Sequence, residues 1–417
     1  MKNLYVYADF DWLKEPRLVG ELCYESLRGS DSYSFSFDRS WLRDFGSLFL
    51  SEDLNNYPGM QYTKPGRDIF GCFADALPDR WGRTLLNRRE QVLATEENRP
   101  AKRLSSFDYL VGIDDFSRMG GFRFKDSIDA PYICCEESMR IPPLTNIRSL
   151  IAASHEIERC EEVNQLPDKK WILQLVQPGT SLGGARPKAG VVDNDGTLCV
   201  AKFPSRRDDC DIALWEHLSH LLAARAGICV AETSLLRAGD KYHTLLSKRF
   251  DRTIDVKRIH FASAMTLLGL TDGCNADTGN GYLDIVDFII RNCCDVERNL
   301  HEIFRRVAFN IVIGNSDDHF RNHGFLLTPR GWTLSPAYDL NPTDNQYQSL
   351  LINKSTNKAD LNILLASSDE YLIRKNTAEK IIDEVNTAVK AWKSLASRLG
   401  ANAQEISRFD STFMRWI

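Results

Sequence analysis

Gly314-Asn315-Ser316-Asp317-Asp318-His319-Phe320-Arg321-Asn322, with Tyr338-Asp339-Leu340 sixteen residues beyond it, is the stretch on which the reading of this 417-residue chain turns. An acidic residue is followed five positions later by an amide, and then by an Asp at the end of an apolar run. Phosphoryl transfer asks for such a set: one carboxylate to orient the attacking hydroxyl and accept its proton, and oxygen ligands for Mg²⁺. Asp317 suits the first role, Asn322 and Asp339 the second. The adjacent Asp318 leaves open which acid is the base. The same composition also suits a polar loop, because Asp, Asn and Gly favour left-handed turn positions.

A phosphate-handling half lies upstream in the order this chemistry needs. Residues 179–190 read Gly-Thr-Ser-Leu-Gly-Gly-Ala-Arg-Pro-Lys-Ala-Gly. Gly183, Gly184 and Ala185 would let backbone N–H groups close around an anion. The run is not a Walker A loop, since no Ser or Thr follows Lys188. Residues 189–193 and 197–203 read as strands around Asn194-Asp195-Gly196, a hairpin signal. The second strand ends in Val200-Ala201-Lys202-Phe203, the apolar–Lys–apolar pattern of a lysine holding α/β-phosphates, or of a solvated edge lysine. A helix follows over 211–227, stopped by Gly227. Its Glu216 could pair with Lys202 or be an ordinary surface residue. Tyr242–Arg252 is β-rich and ends polar, so Lys248, Arg249 and Phe250 would form an adenine-binding hinge, or a plain strand-to-loop passage.

Taken in order, Ser181-Leu-Gly-Gly-Ala-Arg-Pro-Lys188, Ala201-Lys202-Phe203-Pro204, Lys248-Arg249-Phe250-Asp251-Arg252, Asn315–Asn322 and Ala337-Tyr338-Asp339-Leu340 resemble the HipA-type serine/threonine kinases. These are toxins of bacterial type II toxin–antitoxin pairs. Asp68–Leu86, containing Ala-Leu-Pro-Asp-Arg-Trp-Gly, is similar to an N-terminal segment of the same family, so the resemblance spans nearly the whole chain. It marks that segment as a fingerprint with no chemistry of its own.

The resemblance implies ATP and Mg²⁺ as cofactors. Asp317 would be the catalytic base, and Lys202 a catalytic residue contacting the phosphates. Asn322 and Asp339 would be the metal ligands. Gly183, Gly184, Ala185, Arg186, Lys188, Lys248, Arg249, Phe250, His319, Arg321 and Tyr338 would surround the nucleotide, and Ser181 would be an inactivating autophosphorylation site. It further implies a protein substrate, for which a translation factor such as an aminoacyl-tRNA synthetase is one candidate. A DNA-binding, HipB-like antitoxin would be the partner, with DNA met only through it. One departure stands out: Arg186-Pro187 replaces longer polar residues, and Pro removes a backbone donor from the loop. That bears on substrate identity and on how readily Ser181 is phosphorylated. A small-molecule kinase of the same fold, or a catalytically silent partner of a repressor, are the competing functions.

Composition sets the frame. A charged fraction of 26% and a hydrophobic fraction of 43% are those of an ordinary globular protein, and a net charge of −5 disfavours a dedicated nucleic-acid binder. No apolar run approaches a membrane span and the first residues lack a signal-peptide pattern. Eleven scattered cysteines without Cys-x-x-Cys spacing suggest reduced thiols in a cytoplasm. Arg80, Arg83, Arg88, Arg89, Arg99, Lys102 and Arg103, interrupted by Glu90, Glu96 and Glu97, make a solvated helix face or a DNA or partner contact. The expected fold is α+β, protein-kinase-like and two-lobed. Residues 1–125 would form an α/β subdomain of short strands with one or two helices, 126–250 a small lobe with the Gly-rich loop, and 251–417 a helical lobe. Residues 302–313, apolar on two faces, should be a buried helix presenting the catalytic loop.

Overall fold

In the computed structural model the described residues are 2–27, 30–64, 66–135, 141–176, 184 and 186–416. Two compact units emerge: Met1–Arg207 with Lys248–Ala262, and Asp208–Ser247 with Ser263–Ile417. This division does not coincide with joints at 125 and 250. The reason lies after Lys248, where the chain returns to the first unit through buried ion pairs described below.

In the first unit β1 (Lys2–Ala8), β2 (Arg17–Leu27), β3 (Ser30–Phe37), β4 (Gln61–Tyr62) and β5 (Phe122–Lys125) form a sheet in the order β4-β3-β2-β1-β5, antiparallel throughout. Period-two burial of Leu4, Val6 and Ala8 turns one face of β1 to the core, where Phe35, Phe70, Phe73 and Phe122 meet. Among the described residues of the first 125 there are four helices, α1 (Arg39–Phe45), α2 (Gly71–Ala74), α3 (Arg80–Glu96) and α4 (Ser106–Val111), rather than one or two. All but α3 are too short to show a 3.6-residue period. Caps set two of them: Asp38 accepts from Ser40 and Trp41 ahead of α1, and Ser105 and Asp108 form a capping box on α4.

Much of the basic stretch on and after α3 is internally paired. Arg99 bonds Glu90 and Glu97, Lys102 bonds Asp108, and Arg83 lies over Tyr109. Then come α5 (Ile147–Glu162) and α6 (Lys169–Val176). The expected hairpin follows, β6 (Lys188–Val192) against β7 (Leu198–Lys202), with Gly196 at φ +83° in its turn and Lys188 directly opposite Lys202.

The second unit is mostly helical. It contains α7 (Ile212–Arg225), the antiparallel pair β8 (Thr233–Leu236) and β9 (Thr244–Lys248), and, after β10 (Phe261–Ser263), α8 (Ala264–Leu267) and α9 (Tyr282–Asn292). The buried helix expected to present the catalytic loop is α10 (Val296–Ile313), with every residue from Arg306 to Ile313 buried. A hairpin of β11 (Gly324–Thr328) and β12 (Gly331–Leu334) leads to α11 (Leu361–Ala366), α12 (Lys375–Val389), α13 (Trp392–Leu399) and α14 (Ala403–Phe413). Trp215, Trp392, Phe409 and Phe413 stack between α7, α13 and α14, each removal from water being worth roughly 1.5–3 kcal/mol. All eleven cysteines are free thiols, and no helix among the described residues is long and apolar enough to cross a membrane.

Candidate active site

The catalytic-loop stretch hangs from the end of α10. Gly314 closes that helix at φ +68°, and a Cβ there would overlap the Thr343 carbonyl and lie 2.6 Å from Thr412 Cγ2, so only glycine fits. The loop is then pinned from one side. Thr343 Oγ1 donates to the Gly314 carbonyl at 2.6 Å, and Ser349 gives both its N–H and its hydroxyl to the Ser316 carbonyl at 3.0 and 2.8 Å. A short 3₁₀ turn, Phe320–Asn322, completes it, and Asn322 Nδ2 donates to the Asp317 carbonyl at 2.9 Å.

The structure separates the two adjacent acids. Asp318 is 2% exposed, and its Oδ2 accepts from Asn310 Nδ2 at 2.6 Å, Tyr282 hydroxyl at 2.7 Å and His323 Nε2 at 2.9 Å. Burial alone would raise its pKa, but the neighbouring His323 and the donors outweigh that and hold it below the ordinary range. Its oxygen is committed to bracing the loop. Asp317 instead stays accessible. Its pKa is raised, first by desolvation, then by the carboxylates of Asp339 and Asp318, with His319 opposing. An acid in that setting has the proton affinity a general base needs.

Asp339 sits at φ +59°, an uncommon conformation for a non-glycine residue, and Asn341 Nδ2 donates to its Oδ1 at 3.0 Å. The donor end of the Asn322 amide is spent on the loop backbone, which leaves its oxygen as the end that suits a cation. Asp339 lies near enough to Asp317 to raise its pKa, and carboxylate and amide oxygens are the hard donors that suit Mg²⁺. Tyr338 and Arg321 brace the loop: the Tyr338 hydroxyl donates to the Arg321 carbonyl at 2.5 Å, and Arg321 forms a bidentate pair with Asp272 at 2.8 and 3.0 Å.

Two of the expected nucleotide-facing residues of the first unit have side chains engaged within the protein. The Lys188 ammonium is turned inward. The residue is 2% exposed, and its Nζ lies 3.0 Å from Asp79 Oδ2. The Arg249 side chain is likewise turned inward. Its guanidinium forms a bidentate pair with fully buried Asp251 at 2.7 and 2.5 Å and bonds the Ser117 carbonyl, while its N–H donates to the Leu198 carbonyl at 3.0 Å. Arg252 and the Gly120 N–H complete the shell of Asp251. Burial would raise the Asp251 pKa, yet these partners drive it far below the ordinary range.

Lys248 is exposed and Phe250 half-buried against Phe261. Lys202 ends β7 half-buried, and Gly184 takes φ +90°. Glu216 is 3% exposed with His220 Nε2 4.0 Å away, so it is not a surface helix residue. Ser181, Gly183 and Ala185 lie outside the described residues.

Sequence reasoning missed the bracing set Tyr282, Asn310 and His323. Asn310 carried a signal, a lone amide in the apolar run Val307-Ala-Phe-Asn-Ile-Val312; Tyr282 carried none. It also missed Asp79, assigned to a segment without chemistry.

Residues 180–392 match the family model described as the HipA-like C-terminal domain. A curated relative from Shewanella oneidensis, "Serine/threonine-protein kinase toxin HipA", is 26% identical over 226 residues, which cover 48% of this chain and 51% of that protein. This relative is thus matched over about half its length. "Putative kinase Y4mE" of Sinorhizobium fredii is 27% identical over 347 residues, 78% of this chain and 74% of the relative. Among solved structures, a complex described as the Shewanella oneidensis toxin–antitoxin system HipA, HipB and its operator DNA superposes with a TM-score of 0.69 at 18% identity, covering 99% of this chain and 95% of the other. At that identity the likeness shows the fold, and it is the α+β, kinase-like fold expected from the sequence.

Proposed function

We propose that this chain, which belongs to the HipA-like family through its C-terminal domain, is an ATP- and Mg²⁺-dependent serine/threonine protein kinase that restrains growth and is neutralised by a HipB-like, DNA-binding antitoxin. One observation carries the reading. Of two adjacent acids, Asp318 is buried under three donors while Asp317 is accessible with a raised pKa beside Asp339. A structural polar loop has no use for that asymmetry. A site that must take a proton from a hydroxyl does.

Asp317 orients the substrate hydroxyl and accepts its proton, and Asp318 holds Asp317 in place through the backbone between them. Asp339 and the Asn322 oxygen would hold Mg²⁺, which when bound neutralises charge on the phosphate oxygens. Lys202, at the end of its strand, would meet the phosphates. The antitoxin reading is supported by the composition of the Shewanella complex, and the protein-substrate reading by that relative's name.

Incubation with γ-labelled ATP, Mg²⁺ and a cell lysate tests this. Label in protein, absent with Asp317→Asn, is the expected result. Label confined to a metabolite would make the chain a small-molecule kinase, and no transfer to either would make it a silent binding partner.

A further inference from the structure

The Leu-Pro-Asp-Arg-Trp-Gly segment lies far from the glycine-rich loop in sequence, yet it grips the root of that loop. Asp79 uses both carboxylate oxygens: Oδ1 accepts from Gly82 N–H at 2.7 Å, capping α3, and Oδ2 lies 3.0 Å from Lys188 Nζ. The pair is almost fully enclosed, the two side chains being 1% and 4% exposed. Two residues on, Trp81 Nε1 donates to the Lys188 carbonyl at 3.1 Å. Gly184 passes over the ammonium closely enough that a Cβ there would sit 3.2 Å from Nζ. The Pro187 carbonyl accepts from Phe203 N–H at 2.9 Å. The electrostatics matter as well. Lys188 is directly opposite Lys202 in the β6–β7 register, so both side chains leave the same face of the hairpin, where like charges repel.

We infer that Asp79 is a positioning residue for nucleotide binding: it anchors the end of the glycine-rich loop to the start of α3 and neutralises Lys188 opposite Lys202. The nucleotide part rests on the function proposed above; the anchoring part does not.

Asp79→Asn separates the two jobs, because Asn caps a helix as well as Asp but carries no charge for Lys188. Leu85→Ala, buried in α3, serves as the control for simple destabilisation. Amide exchange at residues 186 and 188–190 without nucleotide should quicken about tenfold or more in Asp79→Asn and stay unchanged in Leu85→Ala at matched stability. The KM for ATP should rise roughly tenfold, with kcat at saturating ATP within about threefold of wild type. Should Asp79→Asn fail to fold, the double variant Asp79→Asn/Lys188→Met, which leaves neither charge unpaired, carries the same measurements. Wild-type exchange and KM in these variants would overturn the inference. Faster exchange in a protein whose wild type binds no ATP would keep the anchor and overturn the nucleotide reading instead.

Discussion

The loop at 314–322 and the segments at 184–188 and 248–252 both looked like a nucleotide site in sequence, but they use their charges in opposite ways. In the first, one acid turns inward and the other is kept accessible. In the second, Lys188 and Arg249 both turn inward, onto Asp79 and Asp251. The difference teaches that a motif's charged residues need not all be its chemistry. A buried ion pair gives little net stability over an apolar replacement, while losing one partner is costly, so such pairs fix geometry more than they add free energy.

Substituting the adjacent acids one at a time puts most strain on that contrast. Asp317→Asn should cut turnover by about 10²–10⁴-fold, the usual contribution of a general base. It should not lower the melting temperature. Because the folded-state pKa of Asp317 lies above the ordinary value, its contribution to stability is present at low pH and lost as pH rises through the folded pKa. Removing the carboxylate therefore costs nothing at neutral pH. Asp318 has the opposite sign: its stabilisation is present above the unfolded pKa and is lost as pH falls through the depressed folded pKa. Asp318→Asn should destabilise by about 3 kcal/mol, since three buried donors lose a charged acceptor. Thermal melts beside a kinase assay decide it; full turnover in Asp317→Asn would reverse the roles of the two acids.

A smaller contrast separates neighbours in the other region. Arg249→Met should cost about 2 kcal/mol, less than breaking an isolated buried pair, because Arg252 and the Gly120 N–H still hold Asp251. Lys248→Ala, at an exposed position, should stay within about 0.5 kcal/mol. Urea midpoints measure both. Equal values would remove the distinction between a structural arginine and a surface lysine.

What the sequence made legible follows from range. The β6–β7 hairpin, α7 and α10 were readable because turn residues and apolar periodicity act over a few positions. Short α1, α2 and α4 were not, since caps rather than periodicity make them. The catalytic loop's residue types were visible, but the inward turn of Asp318 depends on Tyr282, thirty-six residues away, and the fate of Lys188 on Asp79, more than a hundred away. Pairings at such separations leave no local pattern. The Arg-Phe-Asp-Arg run hid another long-range pairing: its Arg249, Asp251 and Arg252 side chains form a buried ion cluster with residues near 117–120.

The finest test concerns how the base is tuned. Desolvation raises the Asp317 pKa most, Asp339 and Asp318 add to it, and His319 pulls it down. A base works ionised, so kcat/KM should rise with pH through that pKa, placing the acid limb of the profile above the range of an ordinary aspartate. His319→Gln removes the one opposing influence while keeping a polar side chain. The acid limb should therefore move to higher pH, with stability little changed because His319 is only half-buried. The position of the limb, not the height of the plateau, is what must be read, since a change in nucleotide contact would alter the height alone. A limb that stays put would show that His319 does not tune Asp317. A limb that moves to lower pH would mean the titrating base lies elsewhere, and the separation of roles between Asp317 and Asp318 would have to be redrawn.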